Sequence, residues 1–183
     1  GFANSLNLSL DRLPYVDGLW IGEIFRDDNP LDFWLVEMSG IPFGLMSEML
    51  DAHNIYRGMV FGMLPRLPWS GNPVPMWKTL DAFGINQAKM YGYWDSRNPV
   101  NSDNELIPVT TYLRDDAALL AIANWDNDST QRCHIRIDTR KLGFRPSQIY
   151  LPEINELQPA GEIDFNNEIE IPACSGHIVI LKK

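Results

Sequence analysis

The sequence predicts an α+β fold in two parts: a strand–helix segment over residues 1–86 and an antiparallel β-sandwich over residues 87–183. Three observations lead there. All seven methionines and four of the six tryptophans fall within the first 90 residues. In that half two short apolar runs are each followed by residues at helical spacing, a βαβα order that implies parallel strands. Beyond residue 86 apolar side chains recur at every second position between polar turns, the period of half-buried strands. Charge does not divide the chain, because acidic residues outnumber basic ones 10 to 5 before residue 87 and 14 to 10 after it. The division is one of architecture.

Gly18-Leu19-Trp20-Ile21-Gly22 reads as a short buried strand ending at Glu23-Ile24-Phe25. Asn29 suits an N-cap and Pro30 the first helical position, where no amide is needed, so a helix is expected over Asp32–Met38. Gly40-Ile41-Pro42 ends it, since Pro42 lacks the amide and disfavours helix at Ile41. Helical spacing resumes over Phe43–Leu50. Gly58–Met63 reads as a second buried strand, leading into a loop rich in proline (Pro65, Pro68, Pro73, Pro75). A third helix is expected over Met76–Phe83, closed by Gly84 as a C-cap. In the second part Val109–Leu113 and Ala118–Trp125 flank Arg114-Asp115-Asp116, a hairpin turn, and Asp126-Asn127-Asp128-Ser129 makes the next turn. Cys133, Ile135 and Ile137 alternate with His134, Arg136 and Asp138, one strand with one wet face. Ile149–Leu151, Glu168–Ile171 and His177–Leu181 supply further strands, enough for an antiparallel sandwich.

Composition excludes several function classes. With 45% hydrophobic residues, 11% aromatic, and 21% charged, the chain can build a packed core. Its formal charge of −9 opposes a duplex-binding surface, which needs clustered cations against phosphate. Charges interrupt every apolar run before the roughly 18 residues of a membrane span. These residues hold no basic and apolar leader, so no signal peptide is read within them. His53, His134 and His177 are too scattered for a metal site, and His134 sits on a wet face. Pro42 stands where a phosphate loop would need amides, so neither metal nor cofactor is expected. Cys133 and Cys174 are expected at core-facing positions as buried thiols, joined only if their Cα atoms come within about 7 Å.

Four segments form an ordered set: Tyr15–Glu23, Ser39–Leu50, Arg57–Met63 and Met90–Asp95. Together they resemble the C-terminal portion of large bacterial proteins related to glycoside hydrolase family 123, many from gut Bacteroidetes. The resemblance covers nearly the whole chain. It implies the last two βα units of a (β/α)8 barrel followed by a C-terminal β-sandwich, a carbohydrate substrate, and a secreted or periplasmic parent protein. A complete barrel takes about 250 residues, so the chain is expected to be a fragment whose bare barrel faces drive it to self-associate. The family resemblance also implies substrate-assisted hydrolysis with an adjacent Asp-Glu pair, and no Asp-Glu dipeptide occurs here.

Barrel enzymes place their chemistry at the C-terminal ends of the strands. Glu23 and Arg66 each follow a predicted strand, whereas Asp17 precedes one and falls at the opposite end. Glu23 is the candidate catalytic acid or base, in keeping with the carboxyl chemistry of glycoside hydrolysis. Trp20 and Trp69 offer flat faces for a pyranose, and Arg66 a hydroxyl or carboxylate contact. A lone carboxylate after a strand is equally a solvated or ion-paired residue. On this reading the fragment itself lacks activity and its sandwich supports the barrel. The alternative is a non-catalytic carbohydrate-binding or structural module, which exposed aromatics in a row would favour. Trp125 ends an apolar strand and is expected buried, and Trp94 is expected to pack at the junction of the two parts.

Overall fold

The computed structural model describes Tyr15, Pro30–Leu31, Glu48–Met49, residues 55–62, Leu64–Pro65 and residues 72–183. In chain order the elements are β1 (Glu48–Met49), α1 (Ile55–Val60), β2 (Leu64–Pro65), α2 (Val74–Phe83), β3 (Lys89–Tyr91), β4 (Val100–Ser102), β5 (Val109–Leu113) and β6 (Ala117–Ala123). They continue as β7 (Gln131–Cys133), β8 (Ile135–Ile137), α3 (Thr139–Leu142), β9 (Gln148–Leu151), β10 (Gly161–Glu162), β11 (Ile169–Ile171) and β12 (Gly176–Lys182).

Ala117–Ala123 is a run of seven apolar residues, all buried, and it becomes the centre of a six-stranded sheet in the order β10-β9-β12-β6-β5-β3. Every pairing in that sheet is antiparallel. A strand with no polar face must be covered on both sides. Ala117, Leu119, Ala121 and Ala123 point to one core, shared with Met59 of α1 and Met76, Leu80 and Phe83 of α2. The alanines in that row let the helices approach the sheet closely. Ala118, Leu120 and Ile122 point to the other core. There two antiparallel ribbons, β11–β7 and β4–β8, contribute Val100, Cys133, Ile135, Ile169 and Ile171. At about 1.5–3 kcal/mol for each fully buried large aliphatic side chain, these two cores dominate the favourable side of folding.

The Arg114–Asp116 hairpin forms as expected, with the Arg114 amide donating to the Ala117 carbonyl at 2.8 Å. The third helix also forms, extended to Val74 because Pro73 and Pro75 occupy its cap and first turn, where proline is tolerated. Gly84 ends it at φ 77° with its amide bonded to the carbonyls of Leu80 and Asp81. Leu31 is helical, immediately after Pro30, while the strand expected at Gly18–Gly22 and the rest of the helix over Asp32–Met38 lie outside the described residues.

Four expectations are corrected. Of the strand expected over Gly58–Met63, Gly58, Met59 and Val60 belong instead to α1 and Phe61–Gly62 to a turn, while Met63 lies outside the described residues. A short run buried on all sides carries no period, so strand and helix look alike in it. Glu48–Met49, expected in a helix, pairs in parallel with Leu64–Pro65, which puts Pro65 in a strand and makes β1-α1-β2 a compact crossover unit. The strand expected from Cys133 to Asp138 breaks at His134, where the His134 amide donates to Asp103 Oδ1 at 2.7 Å. That bond turns the chain so that β7 joins β11 and β8 joins β4. Cys174 is exposed rather than core-facing, in the turn before β12 and at φ 50°, and both cysteines are free. The short strands β3, β4 and β10 and the helix α3 were not read from the sequence. Asp138, expected in a strand, is the N-cap of α3 and accepts from the amides of Arg140 and Lys141.

Asn98 is 1% exposed and ties β4 and β5 together. Its Nδ2 donates to the carbonyls of Val109 (2.8 Å) and Gly92 (3.3 Å), and its Oδ1 accepts from the Val100 amide (3.1 Å) and the Thr111 hydroxyl (2.7 Å). Asn98→Ala leaves several buried groups without partners and is expected to destabilise the protein by about 2–3 kcal/mol. Urea unfolding would show this as a lower midpoint at unchanged slope; an unshifted midpoint would mean that water replaces the side chain.

Candidate functional site: the docking junction and the adjoining cleft

Residues 55–62 enter the sheet's core at one end, and their polar groups decide how. A six-residue helix leaves most of its C-terminal carbonyls without helical partners. Two of these are satisfied by the sheet: the Tyr112 hydroxyl donates to the Met59 carbonyl at 2.6 Å and the Thr110 hydroxyl to the Val60 carbonyl at 2.6 Å. Burial pushes the Tyr112 phenol up from its ordinary value, so it stays a donor. Tyr56 reaches across from α1, its hydroxyl donating to the Leu157 carbonyl at 3.0 Å.

Arg57 is the centre of the junction and is 0% exposed. Its Nε donates to the Asn124 carbonyl at 2.9 Å, its guanidinium lies 4.9 Å from the centroid of the Trp125 ring, and its Nη2 is 3.9 Å from the Cys174 sulfur. Asn124 is itself pinned, its Nδ2 donating to the carbonyls of Ser129, Ile171 and Pro172. Beside it Phe61 meets three rings: Tyr93 and Trp125 edge-on at 5.8 and 5.7 Å and Trp94 stacked at 5.9 Å. Trp125 is buried and Trp94 packs at the junction, as the sequence suggests, although 40% of Trp94 remains exposed. The arrangement is built to hold two segments together. Among the described residues it brings no carboxyl pair and no nucleophile with its base into reach of one another.

The junction was missed in the sequence, yet a signal was present. Arg57 is the one charged residue in the run from Ile55 to Gly62, and a cation inside a buried apolar run must find acceptors there. The residues singled out from the sequence, Trp20, Glu23, Arg66 and Trp69, lie outside the described residues, as do Asp17 and His53. His134 is exposed, with Nδ1 3.1 Å from Asp103 Oδ2. Among the described residues no group of three His, Cys, Asp or Glu side chains is placed to hold a metal ion, and no helix is long and apolar enough to cross a membrane.

A cleft of about 950 Å³ opens between α2 and the sheet. One stripe of α2 (Met76, Leu80, Phe83) is buried in the core. The neighbouring stripe of Pro75, Lys78, Thr79 and Ala82 forms one wall of the cleft, and Tyr150 and Ile180 line it from the sheet.

Ionisable groups here predict how stability follows pH. Half-buried His177 is held below the ordinary histidine value by desolvation. Asp126 is held below the usual carboxylate range by bonds from the Asp128 amide and the Gln131 side chain. In both cases the unfolded chain binds protons first as pH falls, so acidification lowers stability. The histidine contribution is present above about pH 6.5 and is lost below it, and the carboxylate contribution is lost below about pH 4. Urea midpoints at pH 7, 5.5 and 4 should therefore fall in two stages. His177→Gln should flatten only the first.

The model of the glycoside hydrolase 123 TIM-barrel domain matches residues 1–68. No curated protein and no solved structure matches the chain. The described sheet and its helix α2 coincide with residues 72–182, which match the model of the glycoside hydrolase 123 C-terminal domain; with more than half its length so matched, the chain belongs to the glycoside hydrolase 123 family.

Proposed function

We propose that this chain is the C-terminal part of a glycoside hydrolase whose β-rich domain braces the end of the catalytic barrel, and that the chain alone does not hydrolyse glycosides. The observation that carries this reading is the junction. Arg57, Met59, Val60 and Phe61 fall within the stretch matching the barrel domain, yet they are buried in the core of the β-sheet. Tyr93 reaches the same way, its hydroxyl donating to the Leu31 carbonyl at 3.3 Å. A domain that merely followed the barrel on a linker would have no reason to supply buried donors to it.

Chain length and chemistry both support inactivity. Eight strand–helix units take about 250 residues, and the barrel-like stretch here spans residues 1–68. The Asp-Glu pair that the family resemblance implies is absent from the sequence, and this reading assigns it to strands of a longer parent protein. In that parent Trp20, Arg66 and Trp69 contribute one wall of the sugar site, and Glu23 is the carboxylate that this chain adds to it. The parent works outside the cytoplasm on carbohydrate, and the isolated chain self-associates through its uncovered barrel margin. Assay of the purified chain against a panel of aryl glycosides should give no turnover. Turnover that Glu23→Gln abolishes would overturn the reading.

A further inference from the structure

The cleft beside α2 is basic in an acidic protein. Lys78 of α2, Arg114 of the β5–β6 turn, and Lys182 and Lys183 at the end of β12 all line it, against the carboxylates of Asp116 and Glu153. The lining side chains thus carry an excess of two positive charges in a chain of formal charge −9. Like charges from three separate elements brought to one concavity repel one another, and a bound anion relieves that repulsion.

The cations are presented in two ways. Arg114 is fixed: its guanidinium donates to the Phe83 carbonyl, lies 5.7 Å from the centroid of the Phe83 ring and stands 3.4 Å from Asp116 Oδ1. Lys78, Lys182 and Lys183 are exposed, and among the described residues no carboxylate lies within ion-pair distance of them. The Lys182 ammonium stands 5.6 Å from the centroid of the Tyr150 ring. Between the charges the lining is apolar, with Tyr150 and Ile180 on the sheet side and Pro75 and Ala82 on the helix side. A simple inorganic anion has no use for so large a space or for an aromatic wall. A pyranose ring carrying acidic substituents uses both, its C–H face on the aromatic and its anionic groups on the cations.

We infer that this cleft binds an acidic saccharide, one bearing carboxylate or sulfate groups. The inference rests on the carbohydrate reading proposed above and adds a ligand class and a place to it. The test is isothermal titration of the 183-residue chain with an oligogalacturonide, a sulfated galactan oligosaccharide, a neutral galacto-oligosaccharide and sodium sulfate. One or both acidic oligosaccharides should bind, the carboxylated and sulfated probes telling which substituent is preferred, and binding should weaken as salt rises because the contacts are exposed. The double variant Lys78→Gln/Lys182→Gln, which removes two exposed charges and the Lys182 contact with the Tyr150 ring, should lower the affinity about tenfold. Arg114→Gln should lower it at least as much, with circular dichroism checking that the sheet persists. Absence of acidic-saccharide binding, or binding indifferent to the double variant, would overturn the inference. So would sodium sulfate binding as tightly as the oligosaccharides, or an acidic peptide such as oligoglutamate binding in their place. Binding of the neutral oligosaccharide alone would remove this inference and leave the carbohydrate reading standing.

Discussion

Gly176→Ala is expected to lower the thermal midpoint by roughly 6–12 °C, the shift that about 3 kcal/mol produces in a domain of this size. The cause is space. A Cβ on Gly176 would run into the Ile122 carbonyl oxygen and the Tyr56 Cβ, with the Tyr56 Cγ at 2.7 Å. Neither neighbour can retreat. Ile122 is paired with Val109 on one side and His177 on the other, so its carbonyl moves only if three strands move. Tyr56 is anchored at its far end by the bond to the Leu157 carbonyl. Overpacking against side chains that can adjust costs about 1–3 kcal/mol, and a fixed backbone oxygen puts this case at the top of that range or above it. Gly161→Ala is the control, because its Cβ would meet only the Leu151 Cδ1, at 3.5 Å, and its midpoint should move by less than about 2 °C. Calorimetry on the two variants decides the matter. Equal, small shifts would mean that α1 does not sit against the start of β12.

The same contact explains what could and could not be read from the sequence. The hairpin around Arg114–Asp116 and the strands β5, β6 and β12 were legible because each has a strong local signature: polar turn residues between apolar runs of strand length. α2 was legible because Gly84 marks its end and Met76, Leu80 and Phe83 keep helical spacing. The failures share a different cause. Gly58–Val60 is helical because the sheet offers hydroxyl donors from Thr110 and Tyr112 to its carbonyls, and those donors lie 50 and 53 positions away in sequence. β7 and β8 separate because Asp103 bonds the His134 backbone, again a distant partner. Strands of two or three residues such as β3, β4 and β10 carry too few positions for a period to emerge. The ribbons and the junction are tertiary decisions that override weak local preference. The candidate site divides in the same way. Glu23 and Arg66 came from a barrel rule applied to predicted strand ends, Trp20 and Trp69 from the flat faces they offer a sugar ring, and in the second of those strands Gly58–Val60 belong to α1. The cleft escaped notice because Lys78, Arg114 and Lys182 are far apart in sequence and unremarkable one at a time.

Arg57→Met should destabilise the protein by about 2–4 kcal/mol, although methionine fills much of the same volume with apolar atoms. Removing one member of a buried polar cluster leaves the others buried without it. Around Arg57 these include the Asn124 carbonyl, the Cys174 sulfur and the face of Trp125, none of which disappears with it. The Asn124 carbonyl lies in a fully buried residue and would lose the Nε donor, and the ring contact would lose its electrostatic part. Arg57→Lys keeps the charge but not the planar fork, so it should recover only part of the loss and fall between methionine and wild type. Urea titration followed by tryptophan fluorescence reads both quantities, since Trp125 is buried against the guanidinium and its emission should shift to the red if the junction opens. The order wild type, Lys, Met in stability, with the red shift confined to the variants, is the pattern that a charge-assisted clamp produces. A methionine variant as stable as wild type would show instead that apolar packing of Met59, Val60 and Phe61 alone holds α1 in place. The brace between barrel segment and sheet would then owe nothing to its buried cation.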